Sequence, residues 1–285
     1  MGSVQIFPGR QAGTLADVWR LAPVGAEPPR VRNTRREDYA AIRAVQRDTT
    51  PHVPPWSLRQ LEAQVHAFPQ GQFLALVDGR IVGASASLVV SWEEQRLSHT
   101  WRSVTGDGMF SNHQPGGDTL YCAALVSDTN RRGFGAARAL VHAQRRLCRR
   151  LNLARIVTTA RLPGFSGHAA EMAADEYARR VVWGEIDDPA LRSALAHGFQ
   201  FCGVLPGYMP EDTDSHGHAA LLAWLNPLHS LPQPPASIAN ERRIRVSAVR
   251  LRRRMARAHA GATYRSTNWR ATYSEREIRA IGQAK

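Results

Sequence analysis

The stretch Thr119–Leu151, TLYCAALVSDTNRRGFGAARALVHAQRRLCRRL, decides the fold. Its first residues, Thr119 to Val126, form an apolar run that is typical of a buried strand. From Gly133 to Leu151 apolar residues recur at helical spacing, and arginines fill the last turns, where positive charge suits the negative end of the helix dipole. The stretch therefore predicts a strand that leads through a glycine-containing loop into a long helix.

The loop in this stretch, Asn130-Arg-Arg-Gly-Phe-Gly135, has the features of a phosphate-binding site. The first turn of a helix leaves backbone N–H groups without intrahelical partners, and the helix dipole adds positive character there. Gly133 and Gly135 remove side chains, so a diphosphate can approach the backbone, and Arg131 or Arg132 can add charge-assisted contacts. Two alternatives stay open: glycines that only permit close helix–sheet packing, and arginines that are only solvated.

The segments on either side of this stretch predict the rest of a mixed sheet. Asp78-Gly79 is a strong tight-turn signal between two apolar runs and predicts a hairpin. The predicted strands are 30–33, 73–77, 81–90, 119–126, 155–160, 199–205 and 219–224. This order predicts an α/β fold (an α+β mixed sheet) with helices on both faces.

Cap signals place the predicted helices. Thr34 with Glu37 reads as a capping box for a helix over 35–47, and Ser57 caps a second helix. Two polar excursions, 93–117 and 163–187, are each expected to hold one helix, the second over 170–182, and a further helix opens at Asp188-Pro189 and ends at Gly198.

Charge and proline content divide the chain into three parts. Residues 241–285 hold 13 Arg or Lys against 3 Asp or Glu, so the tail carries +10 of the net charge of +13. The prolines from 227 to 235 mark a linker. We therefore expect an N-terminal extension over 1–28, one folded domain over 29–232 and a poorly structured, Arg-rich tail over 233–285.

Composition narrows the class of protein. Cys122, Cys148 and Cys202 are far apart, so neither a disulfide framework nor a cysteine-based zinc site is indicated. The polar loop with His216 and His218 resembles a metal site only superficially, and no metal is expected. No run of 18 apolar residues and no secretory signal is seen, which favours a cytoplasmic protein without a membrane segment. Lys285 is the only lysine, which excludes a catalytic lysine in the folded body.

At the quoted loop the sequence resembles the GNAT acetyltransferase family. That family's signature is Gln or Arg, two residues, Gly, one residue, then Gly or Ala, at the start of the helix after the fourth strand. Asn130 departs from the first position, and Arg131 next to it can compensate. The resemblance implies acetyl-CoA as the acyl donor and a V-shaped opening between strands 119–126 and 155–160. The residues that it implies for binding are Leu125, Val126, Asn130, Arg131, Arg132, Gly133, Phe134, Gly135 and Ala136.

Longer segments resemble one bacterial GNAT subgroup, which is often fused ahead of a nitrilase-type carbon–nitrogen hydrolase. These segments are 109–113, Leu120-Tyr121, 161–165, Gly198-Phe199 and 203–206. The strand-like run 244–249 is similar to the start of that hydrolase domain, but no cysteine follows Cys202, so its Glu-Lys-Cys triad is absent. One hypothesis is that the tail is a remnant of the second domain.

The resemblance implies direct attack of a primary amine on the thioester, which needs a route for the amine proton and often an acid for the thiolate. Many GNAT enzymes place a tyrosine four residues before the Gly-Phe pair, and here that position is Ala194. Other candidates are therefore needed, and spacing favours none of them. The candidates for the catalytic groups are Tyr121, His168, Glu171 and Tyr208, with Tyr177, His113 and Glu176 as further options.

Several alternatives stay open from the sequence. The acceptor amine is unidentified: polyamines, aminoglycosides, amino acids and protein N-termini all fit. The chain could instead be a non-catalytic acyl-CoA-binding module, for which Ala194 is the motive. A nucleic-acid-associated protein that acts through the basic tail is a less favoured alternative. A homodimer is compatible with the pattern.

Overall fold

A computed structural model describes residues 28–51, 53–95, 99–128 and 135–230. The chain divides into two units, Met1–His229 and Ser230–Lys285. The predicted N-terminal extension, apart from Pro28, and the predicted tail over 233–285 lie outside the described residues.

The described residues form a seven-stranded mixed sheet in the order β1-β2-β3-β4-β5-β7-β6. The central pair β4 and β5 is parallel, and the other neighbours are antiparallel. The strands are β1 (Arg30–Asn33), β2 (Gln72–Val77), β3 (Arg80–Val90), β4 (Thr119–Ser127), β5 (Arg155–Arg161), β6 (Gln200–Leu205) and β7 (Ala219–Leu225). All seven predicted strands are confirmed, within one or two residues at their ends.

Helices cover both faces of this sheet, as predicted. They are α1 (Tyr39–Thr49), α2 (Leu58–Ala67), α3 (Trp92–Gln95), α4 (Trp101–Thr105), α5 (Ala136–Arg150), α6 (Ala174–Trp183) and α7 (Pro189–Ala196). Leu140, Leu147 and other buried residues of α5 share one core with side chains of alternate positions on the central strands, such as Val89 and Cys122. Helix α1 contacts β3 and β4, and the side chains that alternate with these, such as Tyr121, are also buried.

Two local predictions are confirmed by backbone geometry. The hairpin turns at Asp78 and Gly79, whose φ angles are 49° and 75°. Positive φ at both central residues is what a two-residue turn between twisted strands requires, and Asp-Gly meets that requirement. Ser57 caps α2 by accepting a hydrogen bond from the Gln60 amide at 3.1 Å, and Gln60 Oε1 accepts one from the Ser57 amide at 2.8 Å.

The predicted capping box of Thr34 and Glu37 is wrong. The carboxylate of Asp38 accepts the Arg35 amide at 2.7 Å, and Arg32 of β1 donates to both of its oxygens at 2.6 Å. The chain first forms a 3₁₀ turn over Arg36–Asp38 and becomes α-helical only at Tyr39. The Asp38 side chain therefore closes the 3₁₀ turn and also pairs with Arg32 of β1.

The two excursions differ in detail from the prediction. The first contains two short helices, α3 and α4, and the second begins its helix at Ala174 rather than at 170. Within the described ranges, no helix combines the length and the hydropathy that are needed to cross a bilayer.

A buried carboxylate joins the second excursion to α7. Asp188 is fully buried and caps α7 by accepting the amides of Ala190 and Leu191, each at 3.2 Å. Its second oxygen accepts the Tyr177 hydroxyl at 2.9 Å and the Gly164 amide at 3.2 Å. One side chain thus holds the loop after β5, helix α6 and the start of α7 together.

We expect Asp188→Ala to lower the free energy of unfolding by about 3 kcal/mol, since it removes a helix cap and leaves buried donors without an acceptor. Denaturant titration of the full chain measures this change. Asp187→Ala is the matched control, because the Asp187 side chain is exposed and only pairs with Arg192. Its effect should stay within about 0.5 kcal/mol. If the two substitutions lowered the free energy of unfolding equally, the buried hydrogen bonds of Asp188 would not have the stabilising role that we assign to them.

Candidate active site

A cleft opens where β4 and β5 separate. The two strands pair only from Thr119 with Arg155 to Cys122 with Thr158, although β4 continues to Ser127 and β5 to Arg161. Beyond Cys122, β4 remains paired with β3 on its other side. The V-shaped opening that the resemblance implies is therefore present, with one edge of β4 facing it.

A bulge in β4 lies at the apex of this opening. Cys122 pairs with Ser87 and Ala124 with Ala86, so Ala123 is an extra residue in the strand. A bulge bends its strand and increases the local twist, which turns the end of β4 away from β5. The Ala123 carbonyl accepts a hydrogen bond from the indole Nε1 of Trp101 at 3.1 Å. The displaced peptide is thus satisfied by α4 instead of by β5.

The opening leads into a cavity of about 610 Å³. Both strands line it, and the predicted donor-binding residues Leu125 and Val126 are among the lining residues. Helix α5 contributes Ala137, Val141 and Gln144, and helix α7 contributes a further wall that includes Ala194. The position at which many GNAT enzymes carry a tyrosine therefore faces the cleft here with a methyl group.

The N-terminus of α5 lies beside this cavity. Gly135 has a φ of 79° and precedes the helix, and no side chain of the described residues caps the amides of the first turn. Among the described residues, a Cβ added at Gly135 would come within 4 Å of Pro29 alone. Of the predicted phosphate-binding residues, Gly135 and Ala136 are described, whereas Asn130, Arg131, Arg132, Gly133 and Phe134 lie outside the described residues.

A buried amide and thiol lie under the opening. Gln144 is fully buried, and its Nε2 donates to Cys122 Sγ at 3.0 Å and to Ser87 Oγ at 3.2 Å. Its Oε1 is also buried and has no hydrogen-bond partner among the described residues. Burial raises the pKa of the Cys122 thiol, so this cysteine is protonated and unsuited to act as a nucleophile.

Two of the predicted catalytic candidates, Tyr121 and Tyr208, meet at the cleft. The hydroxyl groups of Tyr121 and Tyr208 are 2.8 Å apart, and Nε2 of His99 is 3.0 Å from the Tyr121 hydroxyl. All three side chains are buried, and Tyr208 lines the cavity. Burial raises the pKa of Tyr208 to about 12 and raises that of Tyr121 well above its usual value, so both hydroxyls are neutral near pH 7. Thr159 of β5 also shares a hydrogen bond with Tyr208.

Sequence reasoning missed His99, Trp101 and Gln144. His99 lies in the polar excursion over 93–117, where no periodic pattern marks a buried histidine. Its partners Tyr121 and Tyr208 are distant in sequence, so only the sheet topology brings the three rings together. The burial of Gln144 follows from its place on the apolar face of α5, and that spacing was a usable signal.

The remaining candidates are not among the residues that line the cavity. His168 Nδ1 lies 3.9 Å from the carboxylate of its neighbour Glu171. Tyr177 donates its hydroxyl to Asp188. His113 Nδ1 accepts the Val89 amide at 3.1 Å, and its ring stacks on Phe68. These contacts give His113 and Tyr177 structural roles away from the cleft.

Charged side chains on the cavity wall are paired. Arg161 donates to both carboxylate oxygens of Asp212 and reaches Asp214 at 3.1 Å, and Arg102 pairs with Glu211. Burial opposes ionisation of Asp212, but the hydrogen bonds from Arg161 and Ser215 outweigh it and lower the pKa of this carboxyl. The aspartates beside His216 and His218 therefore bind an arginine. The described ranges contain no group of three side chains that suits a metal ion.

No protein-family model matches the chain. The chain is 30% identical over 200 residues to the uncharacterized N-acetyltransferase YkwB of Bacillus subtilis (strain 168), a match that covers 69% of this chain and 88% of YkwB. It is 36% identical over 203 residues to the probable hydrolase YhcX of the same organism, which covers 71% of this chain. The chain spans only 39% of the length of YhcX.

A solved structure has the same fold. The GphF GNAT-like decarboxylase, solved in complex with isobutyryl-CoA, superposes with a TM-score of 0.59 at 23% identity over 69% of this chain and 99% of that one. The separation of β4 from β5 agrees with this similarity in fold. The match to 88% of YkwB shows similarity in sequence as well. The chain therefore belongs to the GNAT family of N-acetyltransferases and is an acyltransferase.

Proposed function

We propose that this protein transfers the acetyl group of acetyl-CoA to a primary amine in the cleft between β4 and β5. The observation that carries the proposal is the open edge of β4 beyond Cys122, next to a cavity of about 610 Å³. An extended, amide-bearing chain such as pantetheine pairs with an exposed strand edge in the way that an added strand does. GphF, which has the same fold, was solved with an acyl-CoA bound.

The residues present fit a CoA thioester. The peptide groups of Leu125 and Val126 would bind the pantetheine amides, and the buried Oε1 of Gln144 offers one acceptor without a partner among the described residues. The uncapped amides at the start of α5 and the loop from Asn130 to Gly135 would bind the diphosphate. Helix α5 is long enough for its dipole to contribute there.

When bound, the thioester supplies an acyl carbon that an amine can attack directly. The protein must then orient the amine, exclude water and move one proton. Tyr208 is suited to the last task, because its hydroxyl lies in the cavity wall near the apex and remains neutral near pH 7. The Ala194 side chain cannot donate or accept a proton, so the position at which many members of the family carry a tyrosine plays no part in proton transfer here.

The acceptor that fits this cleft is an amine on a largely uncharged body. The carboxylates on the described cavity wall, Glu211 and Asp212, are each paired with an arginine. A polyamine or an aminoglycoside carries several positive charges and would need unpaired carboxylates to offset the loss of hydration. Trp56, Trp101 and Val53 give the same wall an apolar character.

We also propose that this chain is related to the acyltransferase part of larger, two-part proteins. The match to a portion of YhcX, a protein named as a probable hydrolase, supports that relation. Fusion to a nitrilase-type hydrolase and the remnant character of the tail remain hypotheses.

Release of CoA thiol from acetyl-CoA, measured with a panel of primary amines, tests the proposed function. We expect turnover with mono-amines that carry apolar or uncharged groups and slower turnover with spermidine or kanamycin at equal concentration. Binding of acetyl-CoA without thiol release from any amine would instead favour a non-catalytic acyl-CoA-binding module, for which the methyl group of Ala194 in the cleft is the motive.

We expect Tyr208→Phe to lower kcat about 100-fold while the KM for acetyl-CoA changes little, because the hydroxyl moves a proton and does not hold the donor. Tyr177→Phe is the matched control. It removes a hydroxyl of equal burial that bonds to Asp188, outside the cavity wall. A kcat of Tyr208→Phe that stays close to the wild-type value would show that Tyr208 takes no part in proton transfer.

We expect Gly135→Leu to weaken CoA binding about 10-fold or more in calorimetric titration, because a bulky residue directly before the first turn of α5 would hinder the approach of the diphosphate to the helix amides. Gly79→Leu is the control, since Gly79 has a similar positive φ, 75° against 79°, and open space around it in the hairpin turn. Both variants carry the same backbone strain of about 1 to 2 kcal/mol. If both weaken CoA binding equally, the site at α5 is wrong.

A further inference from the structure

The hydrogen bond between the two tyrosines at the cleft is part of a longer series that continues to His99. Tyr208 faces the cavity, its hydroxyl lies 2.8 Å from that of Tyr121, and the Tyr121 hydroxyl lies 3.0 Å from Nε2 of His99. Both distances are those of ordinary hydrogen bonds. A continuous chain of three hydrogen-bonding side chains therefore runs from the cavity wall into the interior of the protein.

Burial and packing keep this chain in one arrangement. His99 is 7% exposed, Tyr208 3% and Tyr121 not at all. The His99 ring meets the edges of Trp92, Tyr121 and Tyr208 at centroid distances of 5.5 to 5.9 Å. Besides His99, the titratable side chains of the described residues that act on the two tyrosines are each other and Cys122. No carboxylate or arginine of the described residues is among those influences.

A buried polar network of this kind is costly to fold unless every member is satisfied, and apolar side chains of the same size would fill the space. Four side chains on the described cavity wall are of a type that can act as a base. Glu211 and Asp212 are bound to arginines, and His197 Nδ1 lies 2.6 Å from the Ser193 carbonyl. His218 Nδ1 is buried and has no hydrogen-bond partner among the described residues, so His218 is the base that competes with the route through the tyrosines. His99 is the first side chain along this hydrogen-bonded chain with a nitrogen that can accept a proton, and imidazole is the side chain that most often serves as a general base.

We infer that Tyr208, Tyr121 and His99 form a proton relay that carries the proton of the acceptor amine from the cleft to Nε2 of a buried imidazole. This inference rests on the proposed function, since it assigns the route for the proton that amine acylation releases. Tyr208 is the member that touches the substrate, and His99 is a positioning residue that acts through Tyr121.

The transfers balance in a simple way. As the amine nitrogen forms its bond to the acyl carbon and the carbon–sulfur bond breaks, the amine proton passes to the Tyr208 oxygen. Tyr208 gives its own proton to Tyr121, and Tyr121 gives its proton to Nε2 of His99. Reversal of the relay, or exchange with solvent once the product leaves, returns that proton to the CoA thiolate, so amide and free thiol are the only products. The relay therefore requires a neutral His99 whose Nε2 accepts a hydrogen bond in the resting enzyme.

The variant His99→Gln distinguishes proton uptake by His99 from a purely structural hydrogen bond to Tyr121. A glutamine can hold the Tyr121 hydroxyl by a hydrogen bond, but it cannot take up a proton. With acetyl-CoA and the best amine of the panel, we expect kcat to fall about 100-fold, with little change in the KM for acetyl-CoA. The wild-type rate should fall at low pH as the imidazole is protonated, and this component should be absent in the variant. The component due to the amine's own protonation should remain in both proteins.

Tyr121→Phe should cause a similar loss, and the double variant His99→Gln with Tyr121→Phe should lose no more than either single variant, because members of one relay are not additive. His113→Gln is the control: it replaces a half-buried histidine outside the cavity wall and keeps an acceptor for the Val89 amide. Its kcat and pH profile should match those of the wild type. Full activity in His99→Gln, or additive losses in the double variant, would overturn the relay.

A second measurement does not depend on turnover. Long-range ¹H–¹⁵N spectra of the full chain report which ring nitrogen of His99 carries the proton, and the His99→Gln variant assigns the signal. We expect the proton on Nδ1, with Nε2 as the acceptor from Tyr121. A proton on Nε2 in the resting protein would overturn the relay, even if no amine in the panel is acetylated and the proposed function fails by itself.

Discussion

Strand β4 keeps a hydrogen-bonded partner along its whole length on one side but only over four residues on the other. The extra residue Ala123, which has no partner in β3, explains this asymmetry, because a bulge bends its strand and increases the local twist, and the end of β4 thereby turns away from β5. The Trp101 indole satisfies the carbonyl that the bend leaves exposed. The cavity, the free edge of β4 and the approach to the tyrosine pair all result from this bend.

The walls of the cleft differ in character. On the α5 side they are apolar, with the inert Cys122 thiol and the Gln144 amide below them. On the other side the charged groups are present but paired, so that the wall offers little net charge to an incoming molecule. A cleft of this kind selects by shape and by a few hydrogen bonds rather than by electrostatic attraction.

The sequence predicts those features that depend on neighbouring residues. Ser57 and Gln60 stand three apart and form the cap that they predict, and Asp78-Gly79 forms the turn of the hairpin. The box of Thr34 and Glu37 failed because Asp38, which Arg32 of β1 holds in place, accepts the Arg35 amide, and the chain forms a 3₁₀ turn before the helix begins. The relay combines His99, Tyr121 and Tyr208, which are far apart in the sequence, so no local pattern could predict it. The phosphate role of Asn130 to Phe134 stays a prediction.

The four hydrogen bonds on Asp188 have a consequence for the cleft itself. Helix α7, which this carboxylate caps, presents Ala190, Ser193 and Ala194 to the cavity. The opposite oxygen of the same carboxylate is fixed by Tyr177 and by the loop that follows β5. The hydrogen bonds of Asp188 therefore fix the position of α7 and with it the width of the cleft between β4 and α7. Asp188 is fully buried and does not line the cavity, so no substrate contacts it. Because α7 is held in this way, the width of the cleft limits the size of the molecules that can bind in it.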